Sequence, residues 1–171
     1  NNAQYTYNYR DANGTVTQKT KTGYDAVVQF PFGYGLSYTE FEWEVDSFTA
    51  TDAVWDEKTE FTVTVTVYNV GNRKGQEVVQ LYATPPYTKN GIEKAHVNLI
   101  SYAKTGVIPA GEWETVELTF TGYQLASYDD YDKNGNGFKG YEIEAGDYVI
   151  SLRKNAHEVA DINNAEITYS L

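Results

Sequence analysis

The sequence has no cysteine, no methionine, only four prolines, and 13 basic residues against 24 acidic ones in 171 positions. Each shortage excludes something. Without Cys there is no disulfide framework and no thiolate chemistry, and the redox compartment stays open. The net charge of −11 argues against nucleic acid and against an anionic membrane surface as partners, because both need clustered Lys and Arg. No apolar run approaches the 18 residues of a membrane-spanning helix, and no signal-peptide pattern is readable. A chain without Met that starts at Asn1 is expected to be a processed product or a piece of a longer polypeptide. The two histidines, His96 and His157, stand alone, and neither supports a Ser or Cys triad.

What is present is β-pattern. Phe41, Trp43 and Val45 alternate with Glu40, Glu42, Glu44 and Asp46, as in a strand with one buried and one charged face. Residues 60–68 place Phe61, Val63, Val65 and Val67 on one face and Thr on the other. Further strands read at 77–83, 96–104, 113–120, 147–152 and 165–171, separated by Gly, Pro and Asn turns. About seven strands at this spacing predict an all-β, immunoglobulin/fibronectin type III-like sandwich. Gly146-Asp147-Tyr148 places a Tyr where such sandwiches carry a tyrosine corner, or an ordinary strand Tyr. Upstream, Tyr5, Tyr7 and Tyr9 alternate with polar residues, Asp11-Ala12-Asn13-Gly14 reads as a turn, and residues 15–17 return. This is a polar hairpin, followed by a linker at 18–23.

Between hairpin and sandwich lies the stretch Phe30-Pro31-Phe32-Gly33-Tyr34-Gly35-Leu36-Ser37-Tyr38-Thr39. Pro31 fixes its own φ and biases Phe30 towards extended geometry, while Gly33 and Gly35 admit positive φ or close backbone approach. Phe30, Phe32, Tyr34, Leu36 and Tyr38 alternate with smaller residues, which predicts a one-faced apolar strip. Such a strip suits a segment lying against something large. The expected division is an N-terminal extension and joint over 1–39 and a sandwich over 40–171.

The joint, together with Val63 to Gly75 and Glu77-Val-Val-Gln-Leu-Tyr82, resembles the fibronectin type III-like C-terminal segment of glycoside hydrolase family 3 β-glucosidases. Lys94, Leu99, Tyr102, Pro109-Ala-Gly-Glu112, Val116 and Ala145-Gly-Asp-Tyr148 continue the likeness over residues 26–171, and Ser151 to His157 departs from it. The resemblance implies a non-catalytic domain of a retaining β-glycoside hydrolase, whose Asp nucleophile and Glu acid/base lie in other domains. No catalytic residue is therefore assigned here, no cofactor is required, and the chain alone is expected to be inactive. Under the resemblance, residues 1–39 become the tail of a preceding catalytic α/β domain, and Phe30, Pro31, Phe32, Tyr34, Leu36 and Tyr38 become interdomain packing residues. The implied partners are the parent enzyme's catalytic domains, in the same or a separate chain, with a homodimer contact also open.

Two further readings stand beside this one. Tyr5, Tyr7, Tyr9 or Trp55 could serve a carbohydrate-binding module, and an immunoglobulin-like spacer or adhesion domain would share the fold. Asp130, Asp132, Asn134 and Asn136, spaced by Gly135 and Gly137, supply oxygens as a calcium loop does. Both loop frames meet the wrong final residue, Tyr141 or Ile143, and Glu142 lies one position off in either. A hairpin on two Asn-Gly turns fits the same residues.

Overall fold

The computed structural model describes residues 3–171, so the first two positions of the 1–39 extension lie outside the described residues. Twelve strands follow in order: β1 (Gln4–Arg10), β2 (Val16–Thr22), β3 (Phe41–Ala50), β4 (Glu60–Asn69), β5 (Val78–Thr84), β6 (Asn98–Lys104), β7 (Trp113–Thr121), β8 (Ser127–Asp129), β9 (Gly140–Glu142), β10 (Asp147–Asn155), β11 (Glu158–Val159) and β12 (Glu166–Ser170). Single 3-10 turns occupy Gly23–Ala26 and Gly122–Leu125. The second is closed by a capping box between Thr121 and Gln124.

Eight strands form the sandwich. One sheet is β3-β4-β7, and the other is β11-β10-β5-β6 with β12 also on β10. All neighbouring strands run antiparallel. The alternation read in β4 holds: Phe61, Val63, Val65 and Val67 are all buried. They face Val79, Leu81 and Ala83 of β5 and Tyr148, Ile150 and Leu152 of β10 within one core. At one end Phe61 stacks on Phe120, its registered partner in β7, at 4.7 Å and 5°, an aromatic pair that adds to simple burial. Hairpins β1-β2 and β8-β9 are sheets of their own.

Several expectations need correction. Trp55 is not a sugar platform. It is 5% exposed, packs edge-on against Phe61 and Tyr148, and donates Nε1–H to the Ser170 carbonyl at 3.2 Å. Its neighbours in sequence, Asp52 and Asp56, organise the loop by accepting from Thr59, which hid a core residue inside turn-like composition. The strand expected over 96–104 starts at Asn98, leaving His96 exposed in the preceding loop. The strand at 147–152 continues to Asn155 and turns into β11, which the sequence pattern did not announce. β5 is buried on both faces, because the joint lies across it.

Tyr148 makes the bond that defines a tyrosine corner. Its hydroxyl donates to the Glu144 carbonyl at 2.9 Å, while the ring is buried. Burial is the main reason its pKa rises to about 12, and the adjacent Glu144 charge adds to it. Tyr148 therefore keeps its proton folded at a pH where the unfolded chain has lost it, so its contribution is full below pH ~10 and is lost as pH rises towards 12. Tyr148→Phe is expected to cost about 1 kcal/mol in urea unfolding at pH 7. It should also flatten the loss of stability between pH 10 and 12. An unchanged alkaline slope would remove Tyr148 as its cause.

Candidate functional site

The joint crosses the outer face of β5 as a strap, and the two ends are fixed by different chemistry. At the first end Pro31 to Tyr34 closes a turn, with Tyr34 N–H donating to the Pro31 carbonyl at 3.1 Å. The period-two strip expected over Phe30–Tyr38 is thereby broken. Gly33 sits at φ +81°, which a turn at this point requires and a β-carbon would resist. Space also demands glycine: a β-carbon there would lie 2.2 Å from Gln80 Oε1 and 2.5 Å from the Tyr82 hydroxyl.

Those two side chains form the clasp. Tyr82 donates to Gln80 Oε1 at 2.9 Å, and Gln80 Nε2 donates to the Gly33 carbonyl at 2.9 Å and the Lys154 carbonyl at 3.3 Å. Burial raises the Tyr82 pKa, with Arg153 opposing, so the phenol stays a donor at neutral pH. The β10-β11 turn adds a second hold. Ala156 N–H donates to the Phe32 carbonyl at 2.9 Å, and the His157 ring lies 3.9 Å from that of Tyr24. The stretch Ser151 to His157, which in sequence departs from the family's usual strand ending, is thus where the body grips the joint. His157 is part of that grip.

At the far end Thr39 Oγ1 donates to Asn69 Oδ1 at 2.8 Å, and Val70 and Gly71 N–H groups both donate to the Glu40 carbonyl. Between the two anchors the strap bows over a groove of about 770 Å³ that includes Trp43, Gln80, Tyr102 and Lys154 in its lining. Lys154 Nζ lies 3.5 Å above the Trp43 ring, and desolvation there lowers its pKa while Glu77 and Glu158 oppose the shift. Above the groove Leu36 is 87% and Tyr38 94% exposed, and Phe30, Phe32 and Tyr34 are exposed as well. Pro31 is half-buried.

The loop read for calcium closes on itself. Asn134 and Asn136 both donate their amide groups to Glu142 Oε2, at 2.9 and 2.5 Å. Their side-chain oxygens accept from the Asn136 and Phe138 N–H groups, and Asp132 Oδ1 accepts from Gly137 N–H. Asp130 is exposed. The structure therefore brings Asn134, Asn136 and Glu142 together. Among the described residues no three His, Cys, Asp or Glu side chains are placed to hold a metal ion. The buried carboxylate of the region is Asp129, which the motif frames passed over. It accepts from Tyr131 and Lys133 N–H at 3.0 and 2.6 Å and so starts the hairpin.

What the geometry offers is a held apolar surface on a sandwich of the fibronectin type III-like class. Comparison with known proteins agrees. Residues 77–156 match the family described as fibronectin type III-like domain. A β-glucosidase of Ruminococcus albus is 41% identical over 123 residues, covering 72% of this chain and 12% of its own length. β-Glucosidase A of Butyrivibrio fibrisolvens is 35% identical over 162 residues, covering 90% and 19%. The crystal structure of a Paenibacillus barengoltzii β-glucosidase superposes with a TM-score of 0.71 at 34% identity, covering 83% of this chain and 15% of that one. The chain carries the fibronectin type III-like segment of glycoside hydrolase family 3 β-glucosidases. It spans less than a fifth of the length of the curated relatives named here, in which that segment is one part of a much longer chain.

Gly33→Ala combines an unfavourable φ with a clash against Gln80 and Tyr82. It is expected to lower stability by at least about 1 kcal/mol and to speed limited proteolysis between Tyr24 and Tyr38. Gly35→Ala, which meets open space at ordinary φ, should leave both measurements near wild type. Equal effects of the two substitutions would dismiss the clasp.

Proposed function

We propose that this chain is the non-catalytic buttress of a β-glucosidase-like glycoside hydrolase, and that its strap is the surface on which the catalytic part of the parent enzyme rests. The observation that carries this reading is the strap itself: anchored at Gly33 and Asn69, and apolar and exposed between them. Leu36 and Tyr38, almost fully in water, together with the exposed Phe30, Phe32 and Tyr34, gather apolar surface in one short stretch, the kind of patch that marks an interaction site. Retaining hydrolysis of β-glycosides belongs to the parent, and this chain supplies none of its carboxylates. The proposed division at residue 39/40 separates the strap from the sandwich that holds it.

The substitutions Leu36→Asp with Tyr38→Asp test this in two contexts. In the isolated 171-residue chain both side chains are exposed, so unfolding should shift by no more than about 0.5 kcal/mol. In the parent enzyme the same pair should cost at least about 2 kcal/mol by burying charge in an apolar contact. An unaltered parent would overturn the proposal. The purified chain should hydrolyse no aryl β-glucoside, and turnover would contradict the assignment.

Calcium in residues 130–142 is a separate proposal. Its support is Glu142 Oε1, buried without a hydrogen-bond partner beside Asn134 and Asn136. Calorimetry on chelator-treated protein tests it: heat that Glu142→Gln abolishes supports the site, and no heat at millimolar calcium ends it.

A further inference from the structure

The charges of this chain are segregated. Hairpin β1-β2 with its turn, residues 3–22, carries Arg10, Lys19 and Lys21 against Asp11 alone. It is therefore a net +2 arm on a chain of net −11. The three strands of the smaller sheet are the opposite. Together β3, β4 and β7 carry Glu42, Glu44, Asp46, Glu60, Glu114 and Glu117 without one Lys or Arg. Of these, Glu42, Glu44 and Glu117 are exposed on strand positions that alternate with the core residues. The same outward face presents Tyr68 and Trp113, which are registered opposite each other.

The arm lacks what normally stabilises a hairpin. Two strands alone are marginal in water, and these two pair only with each other among the described residues. Tyr7 is half-buried and the other strand positions are exposed. One face nevertheless has a definite composition. Tyr5 is registered with Lys21 and Tyr7 with Lys19, Tyr5 and Tyr7 stack at 5.9 Å, and Lys19 Nζ lies 4.0 Å over the Tyr9 ring. This is a cationic aromatic face. The outward side of β3-β4-β7 is an anionic one with its own aromatic pair.

We infer that the tyrosine-lysine face of β1-β2 docks on the acidic outer face of β3-β4-β7 of a second copy of this chain. Reciprocal exchange of the two arms would make a symmetric dimer. A second copy is the occupant that charge complementarity selects, since it carries both the arm and the receiving face. Strands of this length give an arm roughly 23 Å long and about 10 Å wide. Two reciprocal contacts then bury roughly 900 Å² in total, below the ~1,200 Å² of stable complexes. The dimer is accordingly weak and salt-sensitive. This inference is independent of the buttress reading.

Sedimentation velocity on the 171-residue chain tests it with a charge exchange. Wild type should dimerise in the range of about 100 µM at 50 mM salt, with Kd rising at least about tenfold at 500 mM. K19E/K21E should be monomeric, and so should E42K/E44K. An equimolar mixture of these two variants should dimerise again, because each arm then meets a face of opposite charge. That recovery also excludes misfolding as the cause of either monomer. A wild type that stays monomeric at low salt, or a dimer indifferent to both variants, or a mixture that fails to associate, would overturn the inference.

Discussion

The arrangement rests on the side chain of Asn69. It is buried at the end of β4, and every hydrogen-bonding group it has is used. Oδ1 accepts from Thr39 Oγ1 and Gly71 N–H, Nδ2 donates to the Arg73 and Ile108 carbonyls, and its backbone pairs with Gly111 and Glu112. One amide thus ties the end of the strap, the turn after β4 and the approach to β7. Buried polar groups that lose such a partner cost on the order of 1–3 kcal/mol each, so these segments are held in common. Gly71 is part of the same constraint, since a β-carbon there would lie 2.1 Å from Thr39 Oγ1. The other clasp, Tyr82 to Gln80 to Gly33, fixes the strap's opposite end, and the apolar middle is displayed because both ends are held.

Much of this was legible in residue order. The alternation of Phe61, Val63, Val65 and Val67 announced β4, and the Asp11 to Gly14 turn announced a hairpin, but residues 18–23, read as linker, instead continue β2 to Thr22 and pair Lys19 with Tyr7. What could not be read was contact at a distance. Nothing in the strand pattern marked Gln80, whose amide joins the strap's Gly33 carbonyl, the Lys154 carbonyl and the Tyr82 hydroxyl. Trp55 looked like a loop aromatic, because Asp52, Asp56 and Thr59 around it are turn formers, yet it fills the core beneath Tyr148. Asp129 was overlooked for the opposite reason. Its neighbours at 130–136 carry the more conspicuous acid-and-Gly spacing, while the carboxylate that organises the turn precedes them. Motif spacing captures local geometry well and says little about which side chain is buried.

The two exposed features are of different kinds. The strap is apolar and held at both ends, and suits a permanent neighbour whose contact is dominated by desolvation. The arm and the acidic sheet face are polar and reciprocal, and suit a reversible association governed by ionic strength. They lie on different parts of the fold, the strap over β5 and the acidic face on the outside of β3-β4-β7, so the geometry leaves both free to act together.

The position of β10 has a consequence for how the chain reaches this state. β5, at residues 78–84, has β6 as its local neighbour, but its other edge is closed by β10, at residues 147–155. The larger sheet therefore stays open until some seventy residues more of chain are available, and β12 closes the outer edge of β10 later still. Non-local pairing of this kind makes folding slow. During synthesis the edge of β5, with Val79, Leu81 and Ala83 beside it, would be the part most exposed to wrong partners. The strap reaches β5 earlier in the chain than β10 does, and can cover its outer face while that edge is still waiting.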